Sequence, residues 1–336
     1  MKYLTVVWLM LISAPQAWAH INIGQITGNT MGTTYTIQLR LEDSNATKSE
    51  IKASVEQELE RVNDALSVFR VDSEISSLND NDTGVAIPVS KYLWDVLQIA
   101  QSISAQTDGA LDVTLAPLIE FWGFGVKDRD LQHKNRGQLE LARSKTGMTG
   151  FSLDPSSDSV TKAIRGLEIN PSAVAKGYGV DCIAKLLDGL GVEHYLVEIG
   201  GELRTRGAGV KGRYWQVAVT RPEKFSLEIQ ALIKLQEMSL ATSGSYVNFI
   251  DSGDRRLSHI IDPTSGLPVQ TSVISVTVLH PQCAVADGFA TAMMILSVER
   301  SIQIANKLEL PVMIIEQTDS GLQTHYSDSI HRYITQ

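Results

Sequence analysis

The chain has 336 residues, 43% of them hydrophobic, with no low-complexity tract or internal repeat, and this suits one large core or two modest ones. Its 29 basic and 38 acidic residues leave a net charge of −9, which argues against nucleic-acid binding, since that rests on neutralising phosphates. An anionic ligand would need a local cation, from a side chain or a bound metal, to overcome the surrounding field.

The amino end carries Lys2, an apolar run from Tyr3 to about Ile12, and the A-x-A pattern Ala17-Trp18-Ala19. This reads as a secretory signal over residues 1–19, with a mature chain 20–336 starting near His20. The run is too short to span a bilayer and no later stretch is long enough. No cysteine near the junction offers a lipid anchor, so the expectation is a soluble periplasmic protein. Cys182 and Cys283 form an even pair that an oxidising compartment would allow to join. A chain of this size needs no such bridge, and two buried free thiols are expected.

In chain order, residues 24–41 alternate like a strand, with Met31-Gly32-Thr33-Thr34-Tyr35 near the middle. Ile51, Val55, Leu59, Val62 and Leu66 predict a helix over 50–68. Leu93, Val96, Leu97, Ala100 and Ile103 predict another over 90–107, broken by Asp108-Gly109. Phe121, Trp122 and Phe124 suit a wall against a flat ligand and ordinary core packing equally. Residues 126–147 are charged and read as a surface excursion. Short strands near Phe151 and over 166–169 precede a helix running from Asn170-Pro171-Ser172 to about Leu190. Its start offers backbone amides and Lys176 to a phosphate, although it matches no Walker or Rossmann glycine pattern.

From Glu193 the chain reads mostly as strands: 194–199, 202–206, 215–221, 235–242, 246–250, 257–261 and 271–279, with turns at Gly200-Gly201, Ser243-Gly244 and Asp262-Pro263-Thr264-Ser265-Gly266. A helix beginning at Asp287, another near 298–308 and a final pair of strands complete an α+β pattern of mixed and antiparallel sheets with helices. No linker divides it, so one unit is expected, with room for two sub-lobes.

The chemistry-bearing residues fall at element starts. Asp287 and Thr291 are four residues apart, on one face of a first helical turn, and together can grip a hard cation. A capping Asp beside an ordinary helical Thr is the alternative. Lys176 is a phosphate partner or a solvated helix charge, His259 a reactive group or a bonded strand residue, and Asp262 a reactive group or the former of an Asx turn before Pro263.

Several segments occur in one family order. They are Met31-Gly32-Thr33-Thr34-Tyr35, Ser73-Glu74-Ile75-Ser76-Ser77-Leu78-Asn79, Gly109-Ala110-Leu111-Asp112-Val113-Thr114, Ala173-Val174-Ala175-Lys176-Gly177-Tyr178 and Gly200-Gly201-Glu202. Then follow Ala241-Thr242-Ser243-Gly244-Ser245-Tyr246, His259-Ile260-Ile261-Asp262-Pro263 with Gly266, and Ala286-Asp287-Gly288-Phe289-Ala290-Thr291. In this the chain resembles the FAD:protein FMN transferase (ApbE-like) family over nearly the whole mature length. The resemblance implies the family's T-fold-like architecture and an enzyme that binds FAD with Mg²⁺. Such an enzyme attaches FMN through a phosphoester to a Ser or Thr hydroxyl of a target flavoprotein and releases AMP. It also implies FAD contacts from Met31, Phe69, Ala110, Leu111, Asp112, Asn170, Lys176 and Ile261. Mg²⁺ would be held by Asp287, Thr291 and backbone oxygens at Ala173 and Ala290, and His259, Asp262 and Asp287 would serve the reacting centre. Phe69 stands where the family commonly has Tyr, and Asn170-Pro171 where it has Asp-Leu. The implied acceptors are extracytoplasmic domains of membrane redox complexes, such as the sodium-pumping NADH:quinone reductase or Rnf-type subunits. An FAD pyrophosphatase giving FMN and AMP, and a non-catalytic periplasmic flavin carrier, are the competing readings.

Overall fold

In a computed structural model, residues 23–81, 83–125, 135–209, 212–222, 228–245, 249–252 and 255–335 are described. The expected signal at 1–19, part of the charged excursion (126–134) and Tyr246 lie outside them. The alternation at the start folds as a hairpin, β1 (Ile23–Thr30) and β2 (Thr33–Arg40). Met31 and Gly32 turn it with φ of 48° and 73°, the paired positive angles that a two-residue hairpin loop requires. Helix α1 (Lys48–Leu66) opens with a Thr47/Glu50 capping box. A short helix α2 (Glu74–Asp80), capped by Ser73, follows. Strand β3 (Ala86–Pro88) leads to α3 (Lys91–Gln106), which ends where Asp108 and Gly109 both take positive φ.

Helices α4 (Ala116–Trp122) and α5 (Arg136–Arg143) follow, the latter inside the stretch expected as an excursion. Strands β4 (Phe151–Asp154) and β5 (Ser159–Lys162) come next. The strand expected over 166–169 is not formed. The Asn79 side chain bonds both the amide and the carbonyl of Ile169, at 2.7 and 2.9 Å, and so does the work of a neighbouring strand. Helix α6 (Ser172–Gly189) then precedes β6 (Tyr195–Ile199), β7 (Glu202–Arg206) and β8 (Trp215–Thr220). The strand expected over 235–242 is two, β9 (Ile229–Leu235) and β10 (Ser239–Gly244), broken where Glu237 has φ of 52°. The remainder is β11 (Phe249–Ser252), β12 (Arg255–Ser258), β13 (Val273–His280), α7 (Cys283–Met293), α8 (Val298–Lys307), β14 (Val312–Thr318), β15 (Gly321–Tyr326) and β16 (Ile334–Thr335).

Eight strands form one antiparallel sheet in the order β1-β2-β6-β7-β10-β13-β14-β15. Alternation along each strand divides its faces. Ala241, Val276, Val278, Val312 and Ile314 pack beneath α3, α6 and α7. Leu240, Leu279, Met313 and Ile315 pack against the small sheet β16-β9-β8. A second cluster under α1 and α6 joins Ile37, Leu39, Val55, Val197 and Cys283. The two cysteines are free thiols, with burial pushing Cys182 up to about 12.

Helix α7 corrects one expectation that matters for function. It starts at Cys283, so Asp287 lies in the second turn rather than at the helix start. Gln282 provides no side-chain cap. The cap comes from α6, where the Asp181 carboxylate accepts from the amides of Cys283 and Ala284, both at 3.0 Å, and is itself held by Arg204 at 2.7 Å. Nearly every α7 residue is buried, as expected for a small-residue helix packed on all sides. Gly177 allows this packing, because a Cβ there would run into the Cys283 carbonyl.

Gly177→Ala should therefore destabilise the protein by about 1–3 kcal/mol through overpacking. Gly189→Ala, on the same helix with open space around it, should stabilise by about 0.4–1 kcal/mol. Denaturant midpoints of the two variants check the pair, and equal effects would contradict this account of the seam.

Candidate functional site

The seam between α6 and α7 gathers the charged groups. Asp287 is 3% exposed and its Oδ2 accepts from the Gly177 amide at 3.0 Å. In an α-helix the amide of residue 177 points at the carbonyl of residue 173, so the Asp287 carboxylate lies alongside the Ala173 backbone. Asp287 Oδ1 has no protein donor among the described residues. Thr291 follows one turn later, and its hydroxyl lies 3.2 Å from Ser243 Oγ on β10. Ala290 between them is fully buried.

Lys176 stands beside Gly177, with its ammonium 2.6 Å from Glu202 Oε2 at the start of β7. Glu202 is 2% exposed. Burial pushes the carboxyls of Glu202 and Asp287 up, and the Lys176 charge pulls both back. Burial would lower the Lys176 ammonium, but the two carboxylates outweigh it and hold the group above its usual range. Among the described residues one cation therefore faces two buried carboxylates. Among those residues the cluster is short of positive charge, and unbalanced buried charge is expensive.

The wall next to this cluster comes from the segment after α3. Ala110 and Leu111 are buried, and Asp112 accepts from the Thr114 amide and hydroxyl at 2.7 and 2.5 Å. Burial raises the Asp112 carboxyl, opposed by the Thr114 bonds. Thr114 in turn accepts from the Gly147 amide at 2.6 Å. Asn170 donates its amide to the Val113 carbonyl at 2.6 Å, while its side chain accepts from the Ser172 amide and hydroxyl at the start of α6. Asn170 thus ties the wall to the helix that carries Lys176.

Ile261 packs with Leu115 and Leu118, and the Trp122 indole donates to the Gly266 carbonyl at 2.9 Å. Trp122 is therefore a brace for the 261–266 turn, which settles part of the aromatic stretch in favour of packing. Asp262 is an Asx-turn former: its oxygens accept from the Thr264 and Ser265 amides and from the Ser265 hydroxyl. His259 stands edge-on to the Phe124 ring with centroids 6.4 Å apart. Met31, at the β1–β2 turn, leans on Gly179 of α6. Phe69 is 71% exposed on the turn before α2.

The structure thus joins Ala173, Lys176, Asp287, Ala290 and Thr291 along one seam, and links Ala110, Leu111, Asp112 and Asn170 to it. His259, Asp262 and Ile261 form a neighbouring loop cluster, and Phe69 stands apart as an exposed side chain. Reading the sequence assigns no role to Glu202, Asp181 or Ser243. A carboxylate at an inward position of an alternating strand, directly after Gly200-Gly201, is the signal for Glu202. A cavity of about 910 Å³ along the flank of α6, lined by Tyr92, Tyr178, Asp181, Cys182 and Lys185 among others, contains none of the residues expected to hold FAD or a metal. Its tyrosines bond Glu58 and Asp95. Among the described residues no three His, Cys, Asp or Glu side chains converge on a metal position. A cation beside Asp287 would therefore find fewer than three such side chains and need other oxygens. The donors on the page, one carboxylate with a hydroxyl one helical turn later, fit a hard ion that keeps water or substrate oxygens.

The pattern of the ApbE family matches residues 31–314. This chain belongs to the ApbE family. It is 36% identical to an FAD:protein FMN transferase of Vibrio cholerae over 310 residues, covering 92% of each chain, and 33% identical to one of Haemophilus influenzae, covering 96% of this chain and 95% of that one. Solved ApbE structures superpose closely. The flavin transferase of Vibrio cholerae gives a TM-score of 0.86 at 36% identity, covering 93% of this chain and 99% of that one. The apo flavinyl transferase of Pseudomonas stutzeri gives 0.84 at 32%, covering 93% and 96%. The α+β architecture of this ApbE-family chain, antiparallel sheets with helices over one face, is thus that of a family of transferase enzymes.

Proposed function

We propose that this chain moves the FMN half of FAD onto a Ser or Thr hydroxyl of an acceptor protein, forming a phosphoester and releasing AMP. Family membership supports flavin transfer. The observation that carries the finer reading is Asp287: a buried carboxylate with an open oxygen, one helical turn before Thr291 and facing a single ammonium.

Mg²⁺ would be held by Asp287, Thr291 and the backbone carbonyls of Ala173 and Ala290, and when bound it supplies neutralisation of the charge on the diphosphate. The chain's own residues do the rest. Lys176 places a second positive charge at the start of the α6–α7 seam, for the phosphates. Ala110, Leu111, Asp112 and Asn170 form the wall along which the dinucleotide lies, closed by Ile261, with Met31 and Phe69 toward the flavin. The acceptor hydroxyl needs a base within hydrogen-bond reach. Asp287 is committed to the metal, so His259 takes that proton. Asp262 holds the turn that follows His259. The new bond joins the acceptor oxygen to the FMN phosphorus, and the bond to the AMP oxygen breaks.

No helix among the described residues is long and apolar enough to cross a membrane. The A-x-A signal pattern supports a periplasmic location, and the family resemblance supports acceptors that are extracytoplasmic domains of membrane redox complexes.

Incubating the protein with FAD, Mg²⁺ and such a domain should give a flavin-fluorescent acceptor band that survives denaturation, with one AMP per flavin attached. EDTA should abolish it and added Mg²⁺ restore it. AMP released equally well without acceptor, and no labelled band, would make the enzyme an FAD pyrophosphatase. Labelling indifferent to EDTA would remove the metal from the scheme, and FAD binding with neither product would leave a carrier.

A further inference from the structure

Ser243 has no part in the scheme so far. It lies near the end of β10 on the face that carries Ala241 toward α7, while Leu240 faces the opposite layer. Its Oγ is 3.2 Å from Thr291 Oγ1, a pair in which either hydroxyl can donate. This is the one bond that Thr291 makes through its side chain among the described residues. A helical Thr commonly turns its hydroxyl back to the carbonyl four residues earlier. Thr107 does so toward Ile103 at 2.7 Å, but Thr291 makes no such bond to residue 287 among the described residues.

A neutral hydroxyl binds a cation through a lone pair, so its hydrogen must point away from the ion and toward an acceptor. If Ser243 donated to Thr291, the Thr291 hydrogen would be left to face the cation. We infer that Ser243 is a positioning residue for the metal site: it accepts the Thr291 hydrogen and thereby aims a Thr291 lone pair at the cation. This rests on the metal reading of Asp287 and Thr291 and adds to it a second-layer acceptor on a different element.

The test is Mn²⁺ titration of the full chain in the presence of FAD, with free Mn²⁺ followed by electron paramagnetic resonance. Ser243→Ala should weaken Mn²⁺ binding about 10-fold, the lower end of what loss of a supporting group costs a metal site. Ser243→Thr, which keeps the hydroxyl, should restore binding to within about threefold. Ser243→Ala/Thr291→Ala should bind no more weakly than Thr291→Ala alone, because Ser243 acts only through Thr291. The unfolding midpoint without metal should be shared by Ser243→Ala and Ser243→Thr, which separates positioning from a merely structural role. If Thr291→Ala weakens Mn²⁺ binding and Ser243→Ala does not, the role given to Ser243 is wrong while the metal site stands. If Thr291→Ala leaves Mn²⁺ binding unchanged, the metal site itself is wrong. Additive losses in the double variant also overturn the inference.

Discussion

Asp287→Ala should lose about 1,000-fold in transfer rate and yet fold at least as well as the parent. Charge stabilisation at a phosphoryl centre by a bound ion is worth several kcal/mol, and about 4 kcal/mol corresponds to three powers of ten. Removing the carboxylate removes the one anionic side chain of the proposed cation site. The fold has less to lose. Lys176 now faces two buried carboxylates, Glu202 and Asp287, and the variant leaves it with one. The Gly177 amide keeps its ordinary helical partner at residue 173. Single-turnover flavin transfer and an unfolding curve on the same sample check both halves. A variant that keeps a tenth of the activity, or unfolds well below the parent, would contradict this account of the seam.

Lys176→Met produces the opposite balance. It strands two buried carboxylates, and breaking a buried pair by removing one partner costs about 3–5 kcal/mol. A third of the Lys176 side chain remains open to solvent, so the lower figure, about 3 kcal/mol, is expected. The loss depends on pH, and its sign follows from the raised carboxyls. The fold favours the protonated forms of Glu202 and Asp287. Stability from such groups is present below the unfolded carboxylate range and falls as pH rises through their folded values. In the parent Lys176 pulls those values down; in the variant only backbone hydrogen bonds, such as that from Gly177 to Asp287, still do. The destabilisation should therefore be largest near pH 8 and shrink toward pH 5. A variant whose loss is flat across that window would show that Lys176 does not balance these carboxylates.

The parts of the site that lie close together in the sequence were readable there. The i, i+4 spacing of Asp287 and Thr291 follows from helical geometry whatever the helix's first residue, and it survives the shift of the α7 start to Cys283. The start itself was not readable, because its cap is Asp181, a residue about 100 positions earlier on α6. Long-range partners also explain the irregular 166–169 segment, where one side chain, Asn79, replaces a strand. The break between β9 and β10 rests on one positive φ at Glu237, a residue with no special liking for it. Asp262 showed its turn-forming role in the sequence, through Pro263 and Gly266. The pairing of Lys176 with Glu202 needed the sheet, since it joins a helix to a strand that begins beyond the next one.

The most direct test is a crystal of this chain grown with FAD and Mn²⁺ and measured at the manganese absorption edge. The account predicts an anomalous peak at bonding distance, about 2.2 Å, from the Asp287 carboxylate and the Thr291 hydroxyl, with oxygens of the FAD diphosphate on the same ion. A well-ordered diphosphate elsewhere, with no peak between α6 and α7, would contradict it.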